Sequence, residues 1–434
     1  MHTNSIIIVS AMFLLQLVYA DPFEPLDINF LKKKIIPKQS IVPDREKKQK
    51  SDYPEYNDVI EGFEKIEGLF NFYWNKDKNK LAISIKPDQF NQTYLANITR
   101  QSGDAYYYDG SNLMREYPFI FKKIAGVIQF IHVNVLFRAD ENRAISKAIK
   151  NDFSNSIIAT SKQISMPNKE TGAILIDAAP LFIRDIGYVS QQGGGRYKFD
   201  KSNSYFSNIT SFPKNTELDI IAHYQSMKRT NSYTLPNSRS MEINYHISLS
   251  IFPEKNYSPR LLDDRIGYFE TMYQDYTNTL QETQYVRYIN RWNLRKKDPY
   301  AALSEPEEPI IYWIENKVPK EFRHAIRDGI LAWNQAFEQI GYKNAIIAKQ
   351  MPDDATWDPA DVRYNTIRWF IQPGSGYAVG PSRANPFTGE LYDADVRISA
   401  DFVRAFYSEF EEFVQPVTSD DIAKIWDEKI EHKH

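Results

Sequence analysis

Between residues 57 and 298 apolar and polar residues alternate in short runs, the two-residue period of strands with one buried face. "GLFNFYWNKDKNKLAISIKP" places two such runs around a polar turn from Asn75 to Lys80 and predicts a hairpin. In "VIQFIHVNVLF" the pattern puts Ile131, Val133, Val135 and Phe137 on one face. "EINYHISLSIF" does the same with Ile243, Tyr245, Ile247, Leu249 and Ile251. "TGAILIDAAPLF" reads as a strand running into a short helix or turn, and no internal repeat is evident. The expectation is a large, antiparallel, β-rich N-terminal domain over 57–298.

After the hydrophilic connection "RKKDPYAALSEPEEP" the period changes. "IIYWIE" predicts a strand. In "PKEFRHAIRDGILAWNQAFEQIGY" the residues Phe322, Ile326, Ile330, Trp333, Phe337 and Ile340 recur at spacings of three and four, the apolar stripe of an amphipathic helix. Pro319 suits its first turn and Gly341 its end. "AIIAK" and "YNTIRWF" predict two further strands, and "GPSRANPFTGELYDADVRIS" predicts a hairpin around "NPFTG". The fold class is therefore α+β: the β-rich domain, then over 306–404 a twisted mixed sheet with one packed helix, then a helical tail over 405–434.

Composition adds limits. Hydrophobic residues at 42% and charged residues at 25% are ordinary globular values, so wholesale disorder is excluded. A formal net charge of -3 supplies no basic field for nucleic acid. "MHTNSIIIVSAMFLLQLVYA", residues 1–20, has an apolar run from Ile6 to Val18 and small residues at Val18 and Ala20, the pattern of a cleaved secretory signal. The run is too short for a membrane helix, so a secreted or periplasmic protein without a transmembrane helix after cleavage is expected. Residues 21–56 form a basic linker. With no Cys there is neither a disulfide framework nor a thiol nucleophile. Asn91, Asn97, Asn208 and Asn256 stand in glycosylation sequons, close to chance for this composition.

The chemistry-bearing residues assemble into no complete catalytic motif. Seven histidines include no HExxH pair, which would set two imidazoles one helical turn apart on one metal. His132 and His246 fall on polar faces of strands, His223 lies beside Tyr224, and His324 on the polar side of its helix, all expected to be ordinary. His432 and His434 could bind metal only adventitiously. Asp393, Asp395 and Arg397 alternate onto one face of a strand and are expected to form a solvated charged face. "QQGGGRYKFD" lacks the following helix and the Gly-Lys-Ser/Thr of a phosphate cradle, and no Gly-x-Ser-x-Gly elbow exists.

Several long blocks nevertheless carry a resemblance: "SPRLLDDRIGYF" (258–269), "YINRWNLRKKDPYAALSEPEEPIIYWIE" (288–315), "GILAWNQAFEQIGYKNAIIAKQMPDDATWDPADVRYNTIRW" (329–369) and the hairpin stretch. From about 256 to 404 the chain resembles large exported bacterial zinc-dependent metalloproteases of metzincin type. "EKIEGLFNFYWNKDKNKLAISI" (64–85) resembles the start of the N-terminal region of that family. The resemblance implies a metzincin-like sheet whose edge strand lies along the cleft and pairs with an extended peptide or protein substrate. Mapped here, that strand is Gly376, Tyr377, Ala378, Val379, Gly380, Pro381, Ser382 and Arg383, with "ELYDADVRIS" as the inner strand. It also implies Zn²⁺ in the intact enzyme, held by HExxHxxGxxH, whose Glu takes a proton from metal-bound water. This chain has "ADFVRAFYSEFEEFVQPVTSDDIAKIWDEKIEHKH" instead. Zinc ligands and catalytic residues are thus expected to number none, the metzincin-like sheet to be incomplete, and its apolar side chains over 345–370 to lack the helix that would cover them. The expectation is the N-terminal portion of a secreted zinc metallopeptidase, shortened and catalytically incomplete; the alternative is a non-catalytic exported peptide- or protein-binding module. Asp263 or Asp264 is a weaker candidate for an inhibitory plug, against a plain structural turn.

Overall fold

The predicted hairpin forms as β2 (Asn71–Asn75) and β3 (Lys80–Ile85), with Asn79 at φ 46°, a left-handed turn conformation that Asn tolerates better than most residues. This computed structural model describes residues 53–192, 195–252, 256–278 and 280–413. The expected signal peptide, the linker up to residue 52 and the tail beyond 413 lie outside the described residues. With β1 (Glu64–Ile66) and β9 (Ile174–Asp177) the hairpin makes an antiparallel sheet in the order β1-β2-β3-β9.

A second antiparallel sheet has seven strands. In spatial order they are β10 (Lys198–Ser211), β11 (Asn215–Gln225), β12 (Ser240–Ser250), β4 (Tyr94–Ser102), β5 (Asn112–Ile124), β6 (Val127–His132) and β8 (Ser156–Lys162). The two sheets share one core: Phe72 and Ile83 of the first meet a cluster from the second that includes Phe119, Phe121, Phe130 and Tyr245. The three phenylalanines lie with ring centroids 4.6 to 5.5 Å apart. A small sheet, β14 (Tyr285–Ile289), β13 (Glu270–Asp275) and β7 (Phe137–Arg138), flanks them. Short helices α1 (Tyr56–Val59), α2 (Ile145–Asp152) and α3 (Ala179–Phe182) fill connections, α3 where the strand-to-helix turn was expected.

β12 matches its pattern, with Ile243, Tyr245, Ile247 and Leu249 all in the core. "VIQFIHVNVLF" does not: β6 stops at His132, and Ile128 and Phe130 rather than Val133 to Phe137 enter the core. A bulge between Phe130 and Ile131 shifts the register against β8. Asn134 then turns the chain, its side chain accepting from the Leu136 N–H.

The second half is a mixed sheet in the order β16-β15-β17-β21-β18. β15 (Ile310–Ile314), β16 (Ile346–Gln350), β17 (Asn365–Phe370) and β21 (Val396–Ser399) are parallel, and β18 (Ala378–Val379) closes one edge antiparallel. The predicted helix forms as α4 (Lys320–Ala332) and α5 (Asn334–Gln339), tightened at Trp333, whose N–H donates to Ile330 O. It covers part of the sheet: Ile330 packs with Ile310 and Ile346, and Phe322 stacks on Trp369 at 5.5 Å. The side chains over 345–370 are therefore covered in part by this helix. What stays open is an apolar groove of about 530 Å³ reaching from Trp292 and Trp333 to Ile367, Val396 and Ile398. The hairpin over 380–399 is not one element. β19 (Ser382–Ala384) pairs with β20 (Leu391–Ala394), while β18 pairs with β21, and Asp395 marks the crossing. Helix α6 (Ala400–Phe413) follows. Among the described residues no helix is long and apolar enough to cross a membrane.

Gly68 sits where the two large sheets meet, and Leu69 N–H donates to Phe212 O there at 2.6 Å. A Cβ on Gly68 would lie 2.2 Å from Ser211 Oγ and 2.6 Å from Phe212 N. Because backbone blocks it, Gly68→Ala is expected to cost about 2–3 kcal/mol, read as an earlier urea midpoint at unchanged m-value.

Candidate functional site

β4, β11 and β12 alternate as half-buried strands do, yet their polar faces are not exposed. His246 is 2% exposed, Ser248 0% and Asn97 1%. The mixed sheet and its connections lie on them: Tyr392 OH donates to Asn97 Oδ1 at 2.7 Å, and Val362 N–H reaches Ser248 Oγ at 3.5 Å. The Asn97 sequon is thus inside the protein. Buried polar groups need partners, and here the partners are largely ionic.

Asp393, Asp395 and Arg397 are all buried, which corrects the solvated face expected for them. Alternation reports only that these side chains share a side of the strand; that side faces the sandwich instead of water. Arg383 ion-pairs with Asp393 at 3.3 Å and donates to Ile98 O at 2.8 Å and Thr99 Oγ1 at 2.9 Å. Asp395 accepts from Thr366 N and Oγ1 at 3.0 and 2.7 Å, with Arg368 3.7 Å away. Burial and the nearby Asp395 push Asp393 well above the usual carboxylate range.

His246 lies at the centre of the covered face. Its Nδ1 is 2.6 Å from Asp219 Oδ1 and its Nε2 2.7 Å from Glu217 Oε2, and Ser248 also donates to Glu217. Burial alone would push the imidazole down, but its bonds to Asp219 and Glu217 outweigh this and hold it well above its ordinary value. His223 bonds Asp200 and Ser240, His132 packs on the Tyr117 ring at 4.9 Å, and His324 pairs at the surface with Asp328. Asp263 and Asp264 pair with Arg265 and Arg287 at the surface, and Asp263 also accepts from the Arg265 N–H, the geometry of a structural turn.

Gly376 to Arg383 is split by this arrangement. At Gly376 a Cβ would lie 2.9 Å from Asp401 O and 3.1 Å from Ala405 Cβ, so its bareness admits α6. Tyr377 OH donates to Asp109 Oδ2 at 2.6 Å, and Arg397 bonds both at 2.6 Å and the Gly110 carbonyl at 2.9 Å. Arg100 holds the other Asp109 oxygen at 2.8 Å. Burial works against the Asp109 charge, but Tyr377, Arg397 and Arg100 outweigh it and keep the carboxyl below its usual value. Burial, with the bond to Asp109, pushes the Tyr377 phenol up to about 12. Ala378, Val379 and Gly380 are exposed, Pro381 is half-buried, Ser382 begins β19 and Arg383 is inside the protein. Only the segment before β19 is an open edge.

Hydrogen bonding gives that edge a direction. Tyr377 O accepts from Ser399 N at 3.0 Å and Pro381 O from Asp395 N at 3.2 Å, so 377, 379 and 381 face β21. The alternation of an antiparallel ladder then turns the N–H and C=O of Ala378 and Gly380 outward. Sequence reasoning missed Asp109, Arg100 and the His246 cluster; two carboxylates two residues apart in "TELD", opposite a strand carrying His246, were the available signal.

A family model described as a domain of unknown function (DUF5117) matches residues 115–297. No curated protein and no solved structure matches the chain.

His246→Gln would leave Glu217 and Asp219 buried with no cation between them, at a cost of about 3–5 kcal/mol. Because the folded His246 pKa is raised, its contribution is fully present below the unfolded value near ~6.5 and is lost as pH rises through the folded value. Urea melts should show the wild-type advantage over His246→Gln largest below that pH and shrinking on the alkaline side.

Proposed function

We propose that the chain is the substrate-holding portion of an exported zinc-dependent metallopeptidase of metzincin type, and that β18 captures an extended peptide by strand addition. The observation that carries this is the antiparallel edge strand closing an otherwise parallel sheet, with outward peptide groups at Ala378 and Gly380. An edge with free N–H and C=O groups is a template for one more strand, and backbone pairing binds peptides with little regard to their sequence. The order strand, helix, strand, strand, hairpin supports the metzincin reading. Arg383 takes no part in contact with peptide, because its guanidinium is committed to Asp393, Ile98 and Thr99. Tyr377 acts by fixing the strand to Asp109.

The residues present do not fit the zinc of such an enzyme. Among the described residues no three His, Cys, Asp or Glu side chains could hold a metal ion. Both nitrogens of His246 face carboxylates, and the other described histidines stand apart from one another in the fold. No step of peptide hydrolysis is therefore assigned to this chain.

Gly380→Pro tests the edge. It removes an outward N–H while leaving the ladder to β21 intact, whereas Val379→Pro removes an inward one. A fluorescent extended peptide should bind wild type, lose about tenfold in affinity to Gly380→Pro, and leave the melting temperature within about 2 °C. Equal binding by Gly380→Pro would exclude strand addition here. Peptide cleavage by the purified chain is expected to be absent, and chelator-sensitive cleavage would overturn the assignment of no catalytic group.

A further inference from the structure

A second pocket opens on the core side of the seven-stranded sheet, the side away from the mixed sheet. It has a volume of about 450 Å³, within the usual range of small-molecule sites. Two guanidinium groups line it, those of Arg115 on β5 and Arg184 after α3. Among the described residues neither forms an ion pair with a carboxylate. Arg184 is fixed by its Nε, which donates to Leu181 O at 3.0 Å, and it lies near Tyr117, a side chain only 7% exposed. Arg115 lies 4.3 Å from the centroid of the Tyr188 ring, and its side chain makes no hydrogen bond among the described residues.

Tyr188 holds its ring there at a conformational cost. Its backbone is left-handed at φ 52° and ψ 32°, a strained conformation for a bulky residue. Asp185 enforces it, accepting from Val189 N at 2.9 Å and Ser190 N at 3.0 Å. Those bonds, with one from Tyr224 OH, commit Asp185 away from the arginines. Glu116, next to Arg115, also lines the pocket, but it pairs across the ladder with Asn97 and is attracted by Arg383. His132 lines the pocket as well, and burial together with Arg115 depresses its pKa, so it adds a neutral hydrogen-bonding edge and no charge at neutral pH. Glu116 is thus the one carboxylate among the lining residues, and it forms no ion pair with Arg115 or Arg184, which leaves both guanidinium groups available to an anion. Apolar walls from Met114, Ile158 and Ile186 complete it.

We propose that this pocket binds a small organic carboxylate with an apolar body, the oxyanion held by Arg115 and Arg184 and the body lying against Met114, Ile158 and Ile186. A guanidinium fork matches a planar carboxylate, and charge-assisted bonds of this kind are the strong ones in a partly desolvated site. The site is independent of β18, since it lies across the sheet from the face that the mixed sheet covers.

Calorimetric titration of the full chain with phenylacetate, phenyl phosphate and benzyl alcohol is the test. Phenylacetate should bind, benzyl alcohol should not, and Arg115→Met should weaken phenylacetate at least tenfold with an unchanged melting temperature. Should Arg115→Met melt early, Arg115→Lys, which keeps the charge and loses the fork, is expected to fold and still bind several-fold more weakly. No binding of phenylacetate at millimolar concentration, equal binding of benzyl alcohol, or unaltered affinity in the folded Arg115 variant would each overturn the proposal. Tighter binding of phenyl phosphate would overturn the carboxylate assignment.

Discussion

The structure depends on one sheet with both faces buried. An ordinary antiparallel sheet gives one face to the core and one to water. Here β4, β11 and β12 give their second, polar face to the mixed sheet, so carboxylates and an imidazole that would otherwise be solvated must find partners inside the protein. Arg383, Arg397 and His246 supply positive charge, and the acidic side chains of Asp109, Asp219, Glu217 and Asp393 are their partners. Removing such charges from water offsets much of what their attraction gains, so this layer adds little net stability over an apolar one. What it adds is direction. Apolar faces can slide over one another, whereas Arg383 bridging Ile98 O, Thr99 Oγ1 and Asp393 fixes a single placement of β19 and β20 on β4.

That placement sets the open edge. The β4–β5 connection brings Asp109 and Gly110 to Tyr377 and Arg397, so the strand offered to solvent is pinned at its start by a residue more than 260 positions away. Its far end is limited by Pro381, which has no N–H to offer, and by the chain's departure into β19. Only about two outward-facing residues lie between. Short, interrupted edges of this kind resist uncontrolled pairing between copies, while still offering a partner strand a few backbone bonds. Binding here would gain from a preformed edge, since no ordering of β18 has to accompany it.

The strands and the amphipathic helix were legible because their periods report one buried face, and a buried face is what both have. β2, β3, β12, β15 and α4 lie close to where alternation or three-and-four spacing puts them. The nature of the opposite face was not legible. His246, Asp393 and Asp395 have the same spacing whether they meet water or another sheet, and nothing local distinguishes the two. The bulge in β6 and the crossing at Asp395 were hidden for a related reason: each is set by a partner strand distant in sequence. Arg383 is withdrawn from the edge because its guanidinium is spent on Asp393, Ile98 and Thr99, partners that no local pattern reports.

The same layer bears on where chemistry can occur. A general base needs a lone pair free to accept a proton, and a general acid needs one to give without leaving a buried charge stranded. His246 has both nitrogens engaged and is held protonated; Asp109 is held ionised by two guanidinium groups and a phenol; Asp393 is driven toward its neutral form beside Asp395. Each displaced pKa therefore has a structural account in the packing of one sheet on another, and none of these groups opens onto the β18 edge as a free acid or base. Perturbed ionisation usually draws attention to a catalytic centre. In this protein it follows a seam, and the surfaces suited to ligands lie outside that seam: at the outward peptide groups of β18 and between Arg115 and Arg184, which form no ion pair, in the pocket they line.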